Sequence, residues 1–132
     1  MILTTKGRYA VMAAIEIADS NGQPITLSKI SEKQNISLSY LEQIFMQLKK
    51  ANIVKAIKGP GGGYTLAKPY NEITIAQIIK ATGESIKMTR CVSDKKSCAP
   101  TSAKCKTHHL WSGLENKIYE YLNSISIEDI CK

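Results

Sequence analysis

Three cysteines and a histidine lie close together in the second half of this 132-residue chain. They form the pattern Cys91-x6-Cys98-x6-Cys105-x2-His108. Thiolates and imidazoles are the ligands that hold zinc ions or iron–sulfur clusters in proteins. The intervening residues are small, polar or charged, so this segment has no hydrophobic core of its own. The possible interpretations are an iron–sulfur cluster site, a zinc site, or three cysteines without a ligand.

The spacing of the cysteines favours a cluster over zinc. Structural zinc sites usually contain cysteine pairs separated by about two to four residues, whereas both intervals here contain six. No apolar run approaches the ~18 residues that span a bilayer. The short apolar stretch after Arg8 is interrupted by Glu16, and no clear signal-peptide cleavage site follows. We therefore expect a cytoplasmic protein without a membrane partner, in which clustered cysteines are ligands more often than disulfides.

The chain before the cysteines predicts a mainly helical domain that contains one small β-hairpin. Thr4 or Thr5 can cap a first helix, and a break at 21–24 separates it from the next elements. The apolar stripe predicted for the first helix consists of Val11, Ala14, Ile15 and Ala18. The predicted helices span about 5–18, 27–34, 37–51 and 75–81, and the predicted strands span 53–57 and 64–66.

Three helices followed by a hairpin match the order of a winged helix-turn-helix. If Leu41, Phe45 and Leu48 of the third helix face the core, its other face is polar and can hydrogen-bond to base edges. Ser39 and Glu42 also have the spacing of a capping box. The DNA contacts predicted from this geometry are Ser37, Ser39, Tyr40, Gln43 and Gln47, with attraction to phosphates from Lys49 and Lys50. The alternative is an ordinary solvated helix.

The glycine-rich segment 58–63 has three possible interpretations. A nucleotide-phosphate loop is disfavoured because the Gly-Lys-Ser/Thr ending and a following helix are absent from the sequence pattern. A simple hairpin turn is the second interpretation. We favour a wing that enters a DNA minor groove, because glycine permits close backbone approach and a cation favours that groove. The residues predicted to make these contacts are Lys58, Gly59, Gly61 and Gly62. The formal net charge of +7 agrees with a polyanionic partner.

A last long helix is predicted from Trp111 to about Ile125. Its apolar residues recur at helical spacing and have little remaining chain to pack against, so we expect them to pair with a second copy. The predicted dimerisation residues are Trp111, Leu114, Ile118 and Leu122. Packing within the core of one chain is the alternative. A two-fold dimer implies a near-palindromic operator in double-stranded DNA.

Four segments of the chain resemble the IscR family of bacterial iron–sulfur cluster regulators, a branch of a larger family of winged-helix repressors. These segments are 4–10, 36–43, 59–64 and the cysteine loop at 91–108. The resemblance implies a homodimeric, DNA-binding transcription regulator of iron–sulfur cluster assembly genes. It also implies a 2Fe-2S cluster bound by Cys91, Cys98, Cys105 and His108, and it adds Glu42 to the DNA-facing residues. An acid among phosphates is unfavourable unless it meets a cytosine amino group.

The order of the predicted elements, together with the resemblance, gives a fold class and a domain division. The fold is expected to be mainly α with a β-hairpin wing, a winged helix-turn-helix followed by a long C-terminal dimerisation helix. The predicted domains are 1–83 for DNA binding, 84–109 for the cluster-binding loop, and 110–132 for the dimerisation helix and tail. The cysteine intervals are each one residue longer than is usual in the family. Lys58 also stands where the family often has arginine, so minor-groove binding is expected to be weaker.

Two other functions compete with this interpretation. One is a zinc- or thiol-responsive winged-helix repressor, and the other is a small iron–sulfur electron carrier. An electron carrier would have no need of a basic helix and wing. The sequence shows no acid/base constellation near the cysteine loop, so we expect no enzymatic activity.

Overall fold

The computed structural model describes residues 5–84 and 106–131. These residues form a mainly helical fold with one antiparallel hairpin, as predicted. Within the described ranges, no helix combines the length and apolar character needed to cross a membrane. The elements are α1 (Thr5–Asp19), α2 (Leu27–Gln34), α3 (Leu38–Lys50), β1 (Val54–Ile57), β2 (Gly63–Leu66), a 3-10 turn (Tyr70–Glu72), α4 (Ile75–Ala81), α5 (His108–Ser124) and α6 (Ile127–Cys131).

Helix α1 packs against α2, α3, α4 and α6, so it forms the centre of the core. Of the predicted stripe, Ala14 and Ala18 are buried, whereas Val11 and Ile15 are half-buried and pack against the edge of the core. Most residues between 9 and 18 are apolar, so periodicity alone does not select the innermost face. The buried residues are Gly7, Ala10, Ala13, Ala14, Ile17 and Ala18. Most of these are small, which lets the neighbouring helices approach closely.

A short turn joins α2 to α3. The Thr26 hydroxyl accepts a hydrogen bond from the Lys29 N–H at 3.2 Å and caps the start of α2. Asn35 ends this helix in the left-handed conformation, with φ of 54°. The Ser31 hydroxyl donates to the Ile36 carbonyl oxygen at 2.5 Å. These contacts orient α3 relative to α2, and the predicted bounds of α2 are confirmed.

Helix α3 begins at Leu38 after Ser37, whose side chain makes no capping hydrogen bond. The predicted capping box between Ser39 and Glu42 is wrong, because Ser39 already lies inside the helix. The predicted core residues Leu41, Phe45 and Leu48 are buried, and Ile44 joins them. This face anchors α3 and leaves the opposite face in solvent.

The hairpin has a tight turn at its tip and backbone contacts to the helical part at its base. At the tip, Gly62 N–H donates to the Gly59 carbonyl oxygen at 2.9 Å. Gly61 has φ of +75°, which suits the third position of a type II turn after Pro60. Tyr64 exchanges backbone hydrogen bonds of 2.8 and 3.1 Å with Ile25, and its ring lies 4.8 Å from that of Phe45. The wing therefore has a defined position relative to α3.

The chain after α5 returns to the N-terminal helices. Ile127 at the start of α6 is fully buried in the same core as α1 and α4. Ile75 N–H donates to the Ile125 carbonyl oxygen at 2.9 Å, so the end of α5 is tied to the start of α4. The predicted division at 110 stays a prediction, but α6 packs with the winged-helix elements.

Candidate nucleic-acid interface and metal centre

One face of α3 lies opposite the core and is exposed. Each of its residues has another member of the set three or four positions away, which places them on one side of a helix. They are Ser39, Glu42, Gln43, Met46 and Lys50. The Met46 side chain is 59% exposed and is an apolar residue that the sequence reasoning did not consider. This surface can present hydrogen-bonding groups and one thioether to a DNA groove.

Two predicted contacts lie at the edge of this face. Tyr40 is half-buried, and its ring packs edge-on against Tyr9 of α1 with the ring centres 5.8 Å apart. Gln47 is also half-buried, and its Oε1 has no hydrogen-bond partner within the described part of the chain. Its Nε2 lies near Gly83 after α4. The prediction that Gln47 faces outward is therefore wrong, because its side chain turns toward α4.

The start of α3 offers hydroxyl groups to a phosphate. Ser37 and Ser39 are both exposed, and their Oγ atoms lie 3.1 Å apart. The first N–H groups of a helix have no partner within the helix, and they point out of its N-terminus. The N-terminus is also the positive end of the helix dipole. This end of α3 can therefore bind an anionic oxygen.

The wing tip presents open backbone beside a cation. Lys58, Gly59 and Gly61 are exposed, and a Cβ atom on either of these two glycines would meet empty space. Gly62 differs, because a Cβ there would press against the carbonyl oxygens of Ile57 and Gly59. Gly62 is thus required by close packing inside the turn. Gly59 and Gly61 have positive φ angles that also favour glycine, and they leave open space for approach to DNA.

Among the described residues, the cations around this face are not neutralised by ion pairs. The ion pairs found in the described ranges join Lys33 to Glu16 and Lys117 to Glu120. The exposed lysines of α3, β1 and the wing take part in neither pair; they are Lys49, Lys50, Lys55 and Lys58. Their charge is available to DNA phosphates.

His108 is the one predicted metal ligand in the described part of the chain, because Cys91, Cys98 and Cys105 lie outside it. It is the first residue of α5, and its Nδ1 is buried without a hydrogen-bond partner among the described residues. A buried imidazole nitrogen normally has a partner, so this atom fits a metal ligand. The described residues alone contain no group of three metal-ligating side chains.

His109 is the alternative ligand and is placed differently. Its side chain is exposed, and its ring lies 5.4 Å from the His108 ring at an angle of 77°. Trp111 holds the start of α5, since its indole N–H donates to Thr107 Oγ1 at 3.1 Å. The burial of the two imidazoles favours His108 over His109 as a ligand.

Helix α5 exposes most of its apolar side chains. Glu115 is its only buried residue, and the helix packs mainly against α4. The exposed stripe contains Leu110, Leu114 and Tyr121, with exposed fractions of 59%, 40% and 66%. Of the predicted dimerisation residues, Trp111, Ile118 and Leu122 are half-buried, and Leu122 contacts the core. Leu110 and Tyr121 were missed by the sequence reasoning.

A family model for Rrf2, described as an iron-dependent transcriptional regulator, matches residues 3–132. The chain belongs to the Rrf2 family. Regulators named IscR from Pectobacterium atrosepticum and Photorhabdus laumondii are 46% and 47% identical to it over 131 residues. The matched region covers 98% of this chain and 79% of each relative.

Solved Rrf2-type structures have the same fold. T. potens IscR matches with a TM-score of 0.81 and 31% identity, over 98% of this chain and 85% of that chain. CymR, the global cysteine regulator of B. subtilis, matches with a TM-score of 0.83 and 30% identity, over 99% and 96%. The winged-helix fold and the resemblance to IscR are confirmed. This Rrf2 protein is a transcriptional regulator of the IscR type and not an enzyme.

Proposed function

We propose that this Rrf2 protein is a cytoplasmic, homodimeric regulator whose DNA binding responds to a 2Fe-2S cluster. Its proposed targets are genes for iron–sulfur cluster assembly. The observation that carries the proposal is the buried Nδ1 of His108, which lacks a partner among the described residues. Together with Cys91, Cys98 and Cys105 it completes a set of three thiolates and one imidazole. Such a donor set suits a 2Fe-2S cluster or a zinc ion.

The cluster is favoured over zinc by the spacing of the cysteines and by the relatives named IscR. When bound, a cluster would supply a group whose presence depends on iron, sulfide and oxidation. His108 lies at the first turn of α5, so a ligand there connects the cysteine loop directly to that helix. We infer that α5 transmits a change in cluster occupancy of the cysteine loop to the paired subunit.

The exposed face of α3 and the wing are the proposed DNA-binding surfaces. The N-terminal half of α3 enters a major groove, where Ser39, Glu42 and Gln43 meet base edges. Ser37 contacts a phosphate, and Tyr40 reaches the groove from the edge of this face. Glu42 restricts the operators that are accepted, because a carboxylate requires a donor such as the cytosine amino group. Lys58, Gly59, Gly61 and Gly62 form the minor-groove contact, with Gly62 shaping the turn.

The proposed homodimer forms through α5. Its exposed stripe places Leu110, Leu114 and Tyr121 on one side of the helix, and exposed apolar residues grouped in this way favour an interaction surface. Pairing of two such helices would cover Leu114 and Ile118 and would leave two copies of α3 related by a two-fold axis. The operator is therefore expected to be a near-palindrome in double-stranded DNA.

A zinc- or thiol-responsive regulator is the second candidate. The observation that favours it is the structural match to CymR, which is described as a global cysteine regulator. The same four ligands could hold zinc, or the cysteines could respond to thiols without a metal. An electron carrier is disfavoured by the basic character of α3 and the wing, whose lysines make no ion pair within residues 5–84 and 106–131.

The experiment is a visible absorption spectrum of the protein purified without oxygen, with iron, sulfide and zinc assayed on the same sample. Visible bands with about two iron and two sulfide per chain support the cluster. A colourless protein that contains zinc would favour the second candidate. A colourless, metal-free protein that stays so after reconstitution with iron and sulfide would contradict the cluster.

A further inference from the structure

Met46 stands out on the outward face of α3. Counting 100° per residue, it lies almost opposite the centre of the buried stripe formed by Leu41, Ile44, Phe45 and Leu48. Its nearest neighbours on the surface are one helical turn away, at Glu42 and Gln43 before it and at Lys49 and Lys50 after it. Met46 is therefore an isolated apolar side chain in the middle of a polar and basic surface.

The position of Met46 rules out a role in the core of this chain. The side chain is 59% exposed, whereas the core-facing residues of α3 are at most 1% exposed. A single exposed apolar residue is common on protein surfaces and by itself needs no explanation. Its location on the face that meets DNA supplies a specific apolar partner, because the major groove contains one exposed methyl group, on C5 of thymine.

We propose that Met46 is a specificity-determining residue that contacts the C5-methyl group of a pyrimidine in the major groove. The proposal rests on the DNA-binding function and deepens it. Thymine and 5-methylcytosine carry the same methyl group, so either base offers the chemistry. Glu42 and Gln43 one turn earlier meet polar base edges, and Met46 extends the contact toward the next base pairs. The flexible thioether adapts to the position of the methyl group without a hydrogen bond.

The effect expected from one methyl group is modest and measurable. Removing a buried methyl or methylene group changes a transfer free energy by about 0.8 kcal/mol, which corresponds to about fourfold in affinity. A dimer on a near-palindrome makes the contact twice, so replacement in both half-sites multiplies the loss. Lys49 and Lys50 on the same helix act on phosphates and should not distinguish bases.

The experiment uses operators selected by the full-length protein from a random DNA library. Each thymine of a selected operator is replaced in turn by deoxyuridine, which removes only the methyl group, and the dissociation constant is measured. We expect one thymine per half-site whose replacement weakens binding about fourfold. In Met46→Gln this difference should disappear, and in Met46→Leu it should persist. Lys50→Gln is the matched control, which should weaken all operators equally and keep the thymine-to-uracil ratio.

Further outcomes distinguish thymine from 5-methylcytosine as the source of the methyl group. They also distinguish failure of the Met46 contact from failure of DNA binding. If a cytosine occupies the position, 5-methylcytosine should strengthen binding by the same factor in the wild type only. Equal ratios for wild type and Met46→Gln at every thymine and cytosine position would overturn the role of Met46 while leaving DNA binding intact. If no operator is selected at all, the DNA-binding function itself fails. Met46 is exposed, so circular dichroism should show unchanged folding of the variants.

Discussion

The backbone N–H of Ile127 donates a hydrogen bond of 2.9 Å to the carbonyl oxygen of Ile73, and both side chains are fully buried. This contact joins the last helix of the chain to the segment that precedes α4. The bridge between Thr74 and Ser126 lies beside it. The residues after α5 are thus part of the same core that supports α3.

Ile127→Ala should destabilise the winged-helix core. A fully buried isoleucine replaced by alanine leaves a cavity, which costs about 2–5 kcal/mol of the free energy of unfolding. Urea unfolding followed by circular dichroism measures this change. Ile130→Ala is the matched control, because Ile130 is 45% exposed on the same helix and should cost less than about 0.5 kcal/mol. Equal effects of the two substitutions would show that α6 does not pack as described.

His108→Ala should remove the cluster, whereas His109→Ala should leave the metal content unchanged. The proposed ligand atom is the buried Nδ1 of His108, whereas His109 is exposed. Iron and sulfide assays on protein purified without oxygen should show loss of the cluster in the first variant and retention in the second. Retention in His108→Ala with loss in His109→Ala would reverse the assignment of the ligand.

Leu114→Glu should break the proposed dimer. Leu114 lies at the centre of the exposed apolar stripe of α5, and a carboxylate there would be buried without a partner at the interface. Sedimentation analysis should give the mass of a single chain for this variant and twice that mass for the wild type. Glu120→Lys changes a charge elsewhere on α5 and should stay dimeric. A wild-type protein that sediments as a monomer would contradict the proposal.

Lys58→Ala should reduce the salt dependence of DNA binding. Each phosphate neutralised by a cation contributes about 0.9 to the slope of log K against log salt concentration. The variant should lower the slope by about that amount per subunit. Lys117→Ala removes a cation that is paired with Glu120 on α5, and it should leave the slope unchanged. Equal slopes for Lys58→Ala and wild type would place the wing away from the phosphates.

Cys131 should react slowly with alkylating reagents near neutral pH. Partial burial raises the pKa of its thiol, and the negative charge and hydrogen bond of Asp19 raise it further. Because the thiolate is the reactive form, the alkylation rate should rise at higher pH than for an unperturbed thiol. A chain with serine at the three loop cysteines isolates this reaction. Asp19→Asn should then move the profile to lower pH, and an unchanged profile would exclude the effect of Asp19.

Helix bounds follow from the sequence more closely than helix faces do, for physical reasons. Helices α2 and α4 have their predicted bounds, and in the structure Thr26 and Thr74 cap their first residues. The stripe predicted for α1 is confirmed for Ala14 and Ala18, whereas Val11 and Ile15 lie at its edge, because apolar residues occur on several sides of this helix. The burial of Ile127 was not predicted, because it depends on contacts with residues about 50 positions earlier in the chain.

The DNA-facing surface was predicted in part. Ser39 and Gln43 are exposed as expected, because their spacing relative to the buried stripe determines their side of α3. Glu42, which the family resemblance adds to the DNA-facing residues, is exposed beside them. Gln47 turns toward Gly83, a tertiary contact that helical periodicity does not contain. Met46 is not among the predicted contacts, although its position opposite the buried stripe of α3 places it in solvent. The contacts of the three cysteines stay a prediction, since they lie outside the described residues.

The central claim is that cluster occupancy changes operator binding. The most direct test measures the dissociation constants of one protein preparation for its selected operators, with the cluster present and after its removal without oxygen. We expect the preference between operators to change by about 5- to 150-fold, the range typical of allosteric coupling. Identical constants with and without the cluster, for every selected operator, would contradict the account.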